Sequence, residues 1–251
     1  MAIFERTANP ALNDKTFERF TTVAERAEAM SLERTVNKCF ILVGIVLVAA
    51  AWTWNMSFTE GQAVTLPWMG AGFIGGLIVA IVTVFKKEWA SVTGPIYAAL
   101  EGVALGALSA SFEVSYPGIA VQSVALTFGT LFCLLAAYKS KMILPTENFK
   151  LGVVAATGAI FFVYVINVVL GLMGLPLPYL NEAGWLGIGI SFFIVVIAAL
   201  NLVLDFDFIE TGVAQQAPRY MEWYAAFALL VTLVWLYVEM LRLMAKLSRR
   251  D

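Results

Sequence analysis

Residues 185–212 read WLGIGISFFIVVIAALNLVLDFDFIETG. From Trp185 to Leu204 twenty residues pass without a charge, and about 20 apolar residues are what a helix needs to cross a hydrocarbon core. Then Asp205, Asp207 and Glu210 arrive within six positions, and no Lys or Arg follows until Arg219. An oily run that takes on three carboxylates where a span should end predicts a transmembrane helix with acids at its inner end.

The rest of the chain repeats the apolar pattern. Its 251 residues are 61% hydrophobic and only 14% charged, against roughly 25% charged for an average soluble domain. The mean hydropathy is +0.83. Apolar runs predict spans at approximately 36–56, 66–85, 95–114, 118–138, 151–173, 185–208 and 220–243, an all-α integral membrane protein whose solvent is the lipid bilayer. Residues 1–35 form a cytosolic or interfacial segment, and 248–251 a short tail. Phe17, Phe20, Val23, Ala27 and Met30 recur at helical spacing among Glu and Arg, which fits a helix on the membrane surface or a solvated linker helix. A net charge of −2 gives no electrostatic footprint for nucleic acid.

Basic residues set the expected orientation. Arg34 and Lys38 open the first span, Lys86 and Lys87 follow the second, Lys139, Lys141 and Lys150 surround the fourth link, and Arg219 lies in the sixth. The alternate links SFTEGQAVT, SYPG and GLPLPYLNEAG carry neither Lys nor Arg. The N-terminus is therefore expected in the cytoplasm and, after seven spans, the C-terminus outside. Arg242, Lys246, Arg249 and Arg250 crowd that tail and run against the rule.

Small residues mark expected helix contacts: Gly72 and Gly76 in the second span, Gly102, Gly106 and Ala110 in the third. Tryptophans near the span ends, with Tyr179, read as interfacial anchors. Cys39 and Cys133 read as small packing residues. Histidine is absent, and neither Ser109 nor Ser191 sits in a motif that supplies a base, so enzyme chemistry is not expected. The last span has no Lys before Lys246, which disfavours a retinal protein. No resident cofactor is expected.

The candidate functional residues are the acids at membrane depth. A charge there costs about 2.5–3.5 kcal/mol on insertion scales, so it normally faces the bundle interior or water. Glu101 lies six residues past Pro95, about 9 Å along the helix. Asp205 and Asp207 are about 200° apart around their helix and cannot share a face, whereas Asn201 and Asp205 do. Asp207 shares a second face with Glu210 and Thr211. Glu210 and Glu222 read as wetted helix ends. Glu239 either pairs with Arg242, three residues on, or sits in the core. Clustered acids without bases suggest a site for a hard cation such as Ca²⁺ at Asp205 and Asp207, with protons competing for the same oxygens.

Several motifs resemble the Bax inhibitor-1 (transmembrane Bax inhibitor motif) family. LDFDFIETG and LYVEMLRL are similar to its last two spans, EGVALG to its acid-glycine segment, and NPAL with MEWYAAFALLVTLVWLYVE to a bacterial subgroup. The resemblance implies a seven-helix bundle with the last helix central, in a bacterial inner membrane. It also implies a pH-sensitive calcium leak gated by a pair of acids on the sixth and seventh spans. Asp205, with Ile209 four residues on, matches the first acid and Glu239 the second. The second acid is Glu instead of Asp, and 34 positions separate the two. In a tight hairpin centred near residue 214, Asp205 lies level with Trp223. Glu239, 17 residues beyond Glu222, then stands about 26 Å further along the helix. Glu222, in YMEWYAAF, is the geometric alternative as partner. A different class of function also fits: a non-transporting regulator that binds another membrane protein such as a protease.

Overall fold

The computed structural model describes residues 29–174 and 184–249. The expected surface helix through Phe17, Phe20, Val23 and Ala27, the anchor Tyr179 and the tail residue Arg250 lie outside the described residues. Among the described residues, seven helices are long and apolar enough to cross a membrane. They are α1 (Leu32–Thr59), α2 (Gln62–Phe85), α3 (Ala90–Ser115), α4 (Ile119–Lys139), α5 (Glu147–Leu172), α6 (Trp185–Ala214) and α7 (Tyr220–Ser248), with a 3-10 turn at Lys87–Trp89 before α3.

Local chemistry accounts for several boundaries. Ser31 caps α1 by accepting the Arg34 amide, and Thr146 caps α5 by accepting that of Phe149. Gly118, at φ +88°, turns the chain from α3 into α4. The acids do not end α6 where a stop was expected at residue 208. Their partners lie on neighbouring helices, so the helix continues to Ala214 and the turn falls at 215–219. That turn is fastened to the chain entering α1: Ala29 bridges Pro218, and the Met30 amide donates to the Ala217 carbonyl at 2.7 Å.

α7 is the axle of the bundle, packed by α1, α3, α4 and α6. Tyr224, Phe227, Leu236 and Leu241 along it are fully buried. α2 lies outside on α3, and α5 lies outside on α6. The outer faces are apolar: Phe40, Ile74, Phe85, Phe161 and Phe162 are all exposed. So wide an apolar exterior suits lipid as solvent. α7 starts beside α1, where the Ser31 amide donates to Glu222, and ends beside the end of α3, where Arg249 donates to the Tyr116 hydroxyl. The two described ends of the chain therefore lie at opposite ends of the bundle.

The small-residue stripes bring backbones together. A Cβ on Gly102 would stand 2.6 Å from the Val46 carbonyl oxygen, and one on Gly106 would overlap the Ala50 carbonyl and the Thr53 hydroxyl. Thr53 reaches across this seam to the Val103 carbonyl at 3.0 Å. Gly106→Leu is expected to destabilise the bundle by about 3 kcal/mol, the upper end for overpacking, because the obstacle is backbone. Gly129→Ala, with nothing within 4 Å of its Cβ position, is expected to leave thermal unfolding in detergent near wild type. Comparing the two melting temperatures checks the seam.

Candidate functional site

α6 carries Asn201, Asp205, Asp207 and Glu210, and helical geometry sends them to different neighbours. Asp205 turns inward and is 2% exposed. The Thr232 hydroxyl of α7 is its hydrogen-bond partner, Cys39 of α1 lies close by, and Oδ2 has no partner. Among the described residues no ion pair involves Asp205. Asp207 turns to α5 instead, where Lys150 Nζ stands 2.9 Å from Oδ2 and also 3.3 Å from Glu147. Asp205 and Asp207 thus face different neighbouring helices. Glu210 is exposed and accepts from the Tyr138 hydroxyl. Asn201, although on the face of Asp205, donates to Thr157 and to the Ile197 carbonyl, both at 2.8 Å.

α7 carries Glu222 and Glu239. Glu222 is not a wetted end: it is 0% exposed. It accepts from Arg34 Nε at 2.7 Å, from the Ser31 amide at 2.9 Å and from Lys38. The sequence places these cations in α1, far away along the chain, so only tertiary contact brings them to the acid. Glu239, 1% exposed, accepts from the Tyr164 hydroxyl at 2.8 Å and from Arg242 at 3.0 Å. Its Oε2 has no partner. Arg242 also lies over the Tyr164 ring, 5.4 Å from its centroid.

Neither acid of α7 partners Asp205. The later turn shifts the hairpin register, so Asp205 meets Thr232 instead of lying level with Trp223. Thr232 stands ten residues from Glu222 and seven from Glu239, about 15 Å and about 10 Å along the helix. The carboxylates occupy separate levels, and no three Asp, Glu or Cys side chains converge on a metal position among the described residues.

Glu101 stands apart on α3, buried against α2, with Oε2 unpartnered. Gly76 makes room for it, since a Cβ there would come 2.5 Å from Glu101 Oε1. An ionised carboxylate without a partner in such surroundings costs several kcal/mol. At Asp205 and Glu101 a charge therefore needs a proton, a cation or entering water to accompany it. Ser191 has Lys246 at 2.7 Å, but Lys246 also donates to the Gly187 carbonyl at 3.0 Å; the ammonium is a donor to both.

Three residues of α5 were missed. Lys150, Thr157 and Tyr164 are each seven apart, so they fall on one face. They reach Asp207, Asn201 and Glu239 in turn. Only Val153 and Ile160 of α5 are buried. The helix is held to the bundle by a small apolar contact and three polar ties. That heptad stripe of polar groups in an apolar run was visible in the sequence.

Comparison with known families finds that the one described as Bax inhibitor 1 like matches residues 9–249, nearly the whole chain. No curated protein and no solved structure gives a match.

Proposed function

Because the chain belongs to the Bax inhibitor 1-like family, we propose that this membrane protein is a calcium leak pathway in which protons and the permeant cation compete for buried carboxylates. The observation that carries this reading is Asp205: buried on the central hairpin, held by one hydroxyl, and with one oxygen facing no donor. A hard cation prefers oxygen ligands and brings the charge that an ionised Asp205 lacks. Asp207 has its own cation in Lys150, so it acts through the attachment of α5 instead of through the ion. The protein works as a pathway with no covalent step, in a bacterial inner membrane with its N-terminus in the cytoplasm and its tail outside. Alkaline phosphatase fused after the last residue is expected to be active in cells; an inactive fusion with a fluorescent cytoplasmic reporter at the same place would reverse that orientation.

The test is calcium flux into proteoliposomes between about pH 6 and about pH 8, for wild type, Asp205→Asn and Asp207→Asn. Flux is expected to depend on pH in the wild type and to lose that dependence in Asp205→Asn. Equal flux in all three proteins at every pH overturns the acid gate.

Two observations favour a second reading, a non-transporting regulator that binds another membrane protein. Among the described residues the acids form no convergent cluster, and α5 turns a wide apolar face outward. Purification of a stoichiometric membrane partner, with flux no greater than empty liposomes, would decide for it.

A further inference from the structure

α1 and α4 each pack on α7, yet among the described residues they scarcely touch one another. The gap between them is a slot made of two cavities. The larger, about 250 Å³, lies between residues 32–43 of α1 and residues 128–139 of α4. The smaller, about 110 Å³, continues it along residues 43–50 of α1 and residues 124–128 of α4. Val43, Phe128 and Leu233 line both, so one opens into the other. From Leu32 to Ala50 the slot follows α1 for about 27 Å. One leaflet of a hydrocarbon core is about 15 Å thick, so the slot is long enough for a lipid tail.

Its floor is α7, where Leu229 and Leu233 are buried. The polar groups at the inner end are bonded within the protein: Ser109 to the Tyr237 hydroxyl and Thr127 to the Ser123 carbonyl, both at 2.7 Å. What the slot presents along its length is therefore apolar. A flexible hydrocarbon chain matches that space. A helix from a second copy, about 10 Å across, does not, because α1 and α4 both rest on the same floor.

The mouth is chemically different. Where α4 and α6 finish and α1 begins, Tyr138, Lys139 and Glu210 join the lining. Lys139 and Glu210 are both exposed, and the Tyr138 hydroxyl donates to Glu210 and fixes it at the rim. Asp207, three residues earlier on α6, is turned to Lys150 on α5. The rim thus offers one positive and one negative group above an apolar throat, at helix ends where lipid headgroups lie.

We propose that the slot between α1 and α4 holds one tail of a zwitterionic phospholipid whose head joins a phosphate to a primary ammonium. The charges are complementary: Lys139 attracts the phosphate, and Glu210 accepts from the ammonium. A choline head has no N–H to donate, and a glycerol head brings no positive charge, so neither satisfies both groups. The proposal needs only that the chain spans a bilayer. Binding is read directly, so it stands or falls apart from calcium flux.

The experiment is native mass spectrometry of the full chain in detergent with added phosphatidylethanolamine, phosphatidylcholine or phosphatidylglycerol of identical tails. Wild type is compared with Glu210→Gln, Lys139→Gln, Val43→Trp and Phe161→Trp, the last a bulky change on the exposed face of α5. Wild type and Phe161→Trp are expected to retain phosphatidylethanolamine in preference to both other lipids. Glu210→Gln is expected to hold it about fivefold more weakly, the upper end for one exposed ion pair, and to lose the preference over phosphatidylcholine. Lys139→Gln should weaken both of those lipids alike, and Val43→Trp, which blocks the join of the two cavities, should retain none. The two rim variants leave the packing untouched, so the proposal remains testable even if Val43→Trp does not fold. Equal retention of the three lipids by wild type overturns the proposal, as does a preference for phosphatidylglycerol or a preference unchanged in both rim variants. A lipid-free dimer that Val43→Trp dissociates would give the slot to a second copy and overturn it equally.

Discussion

Glu222→Gln is expected to be among the most damaging single substitutions to folding, lowering stability by about 3 kcal/mol. Removing one partner of a buried pair costs about 3–5 kcal/mol, because the other charge stays behind without compensation. Lys38, with its side chain 12% exposed, is left in that state, whereas Arg34 is 45% exposed and water screens its share. That asymmetry sets the value at the lower end of the range. The amide oxygen of Gln still accepts from the Ser31 amide, so the loss falls on the two cations and not on the fastening of the chain entry to the 215–219 turn. Thermal unfolding in detergent should show a clear drop for Glu222→Gln and partial recovery in Glu222→Gln/Lys38→Met, where the stranded cation is gone. An unchanged melting temperature in the single variant would mean that the buried ion group contributes nothing.

Asp205→Asn is expected to have the largest effect on transport. The amide keeps the size of the side chain and a hydrogen-bonding oxygen for Thr232 while removing the charge that an ionised Asp205 carries. Calcium flux should fall roughly tenfold, about 1.4 kcal/mol on the barrier, and the remainder should no longer vary with pH. Asp207→Asn should behave differently. It strips Lys150 of its membrane-depth partner and loosens one of the three ties of α5, so flux should change in size while keeping its pH dependence. If Asp207→Asn instead abolished the pH dependence and Asp205→Asn preserved it, the roles would be reversed. Glu101→Gln separates a second possibility, since Glu101 is also buried with an unpartnered oxygen but lies between α2 and α3, away from the hairpin.

The architecture was largely legible because apolar length and the alternation of basic links are imposed by the bilayer itself. Which acid faces inward was legible in part: the 200° between Asp205 and Asp207 separates them on any helix. What stayed hidden was register. A shift of the turn from near 214 to 215–219 changes the level of every residue on α7 against α6, and the local signal there, Pro218, marks the approach to α7 but not where α6 ends. Its position depends on Met30 and Ala29 bonding to Ala217 and Pro218, contacts nearly two hundred residues apart along the chain. Glu222 was misread for the same reason. As the third residue of a helix it looked solvated, and only the packing of α1 on α7 supplies Arg34 and Lys38. The α5 ties were legible and overlooked, because a lone Thr and Tyr in an apolar run draw attention only when their seven-residue spacing is counted together with Lys150.

Proton release on calcium addition tests most directly whether Asp205 is where proton and cation compete. Purified protein in weakly buffered detergent solution near neutral pH, with a pH-indicator dye, receives calcium, and the protons released are counted. Metal entering a carboxylate site displaces whatever proton is there. Wild type is expected to release protons in a saturable manner and Asp205→Asn to release distinctly fewer, with Asp207→Asn close to wild type. Equal release from wild type and Asp205→Asn would contradict the account.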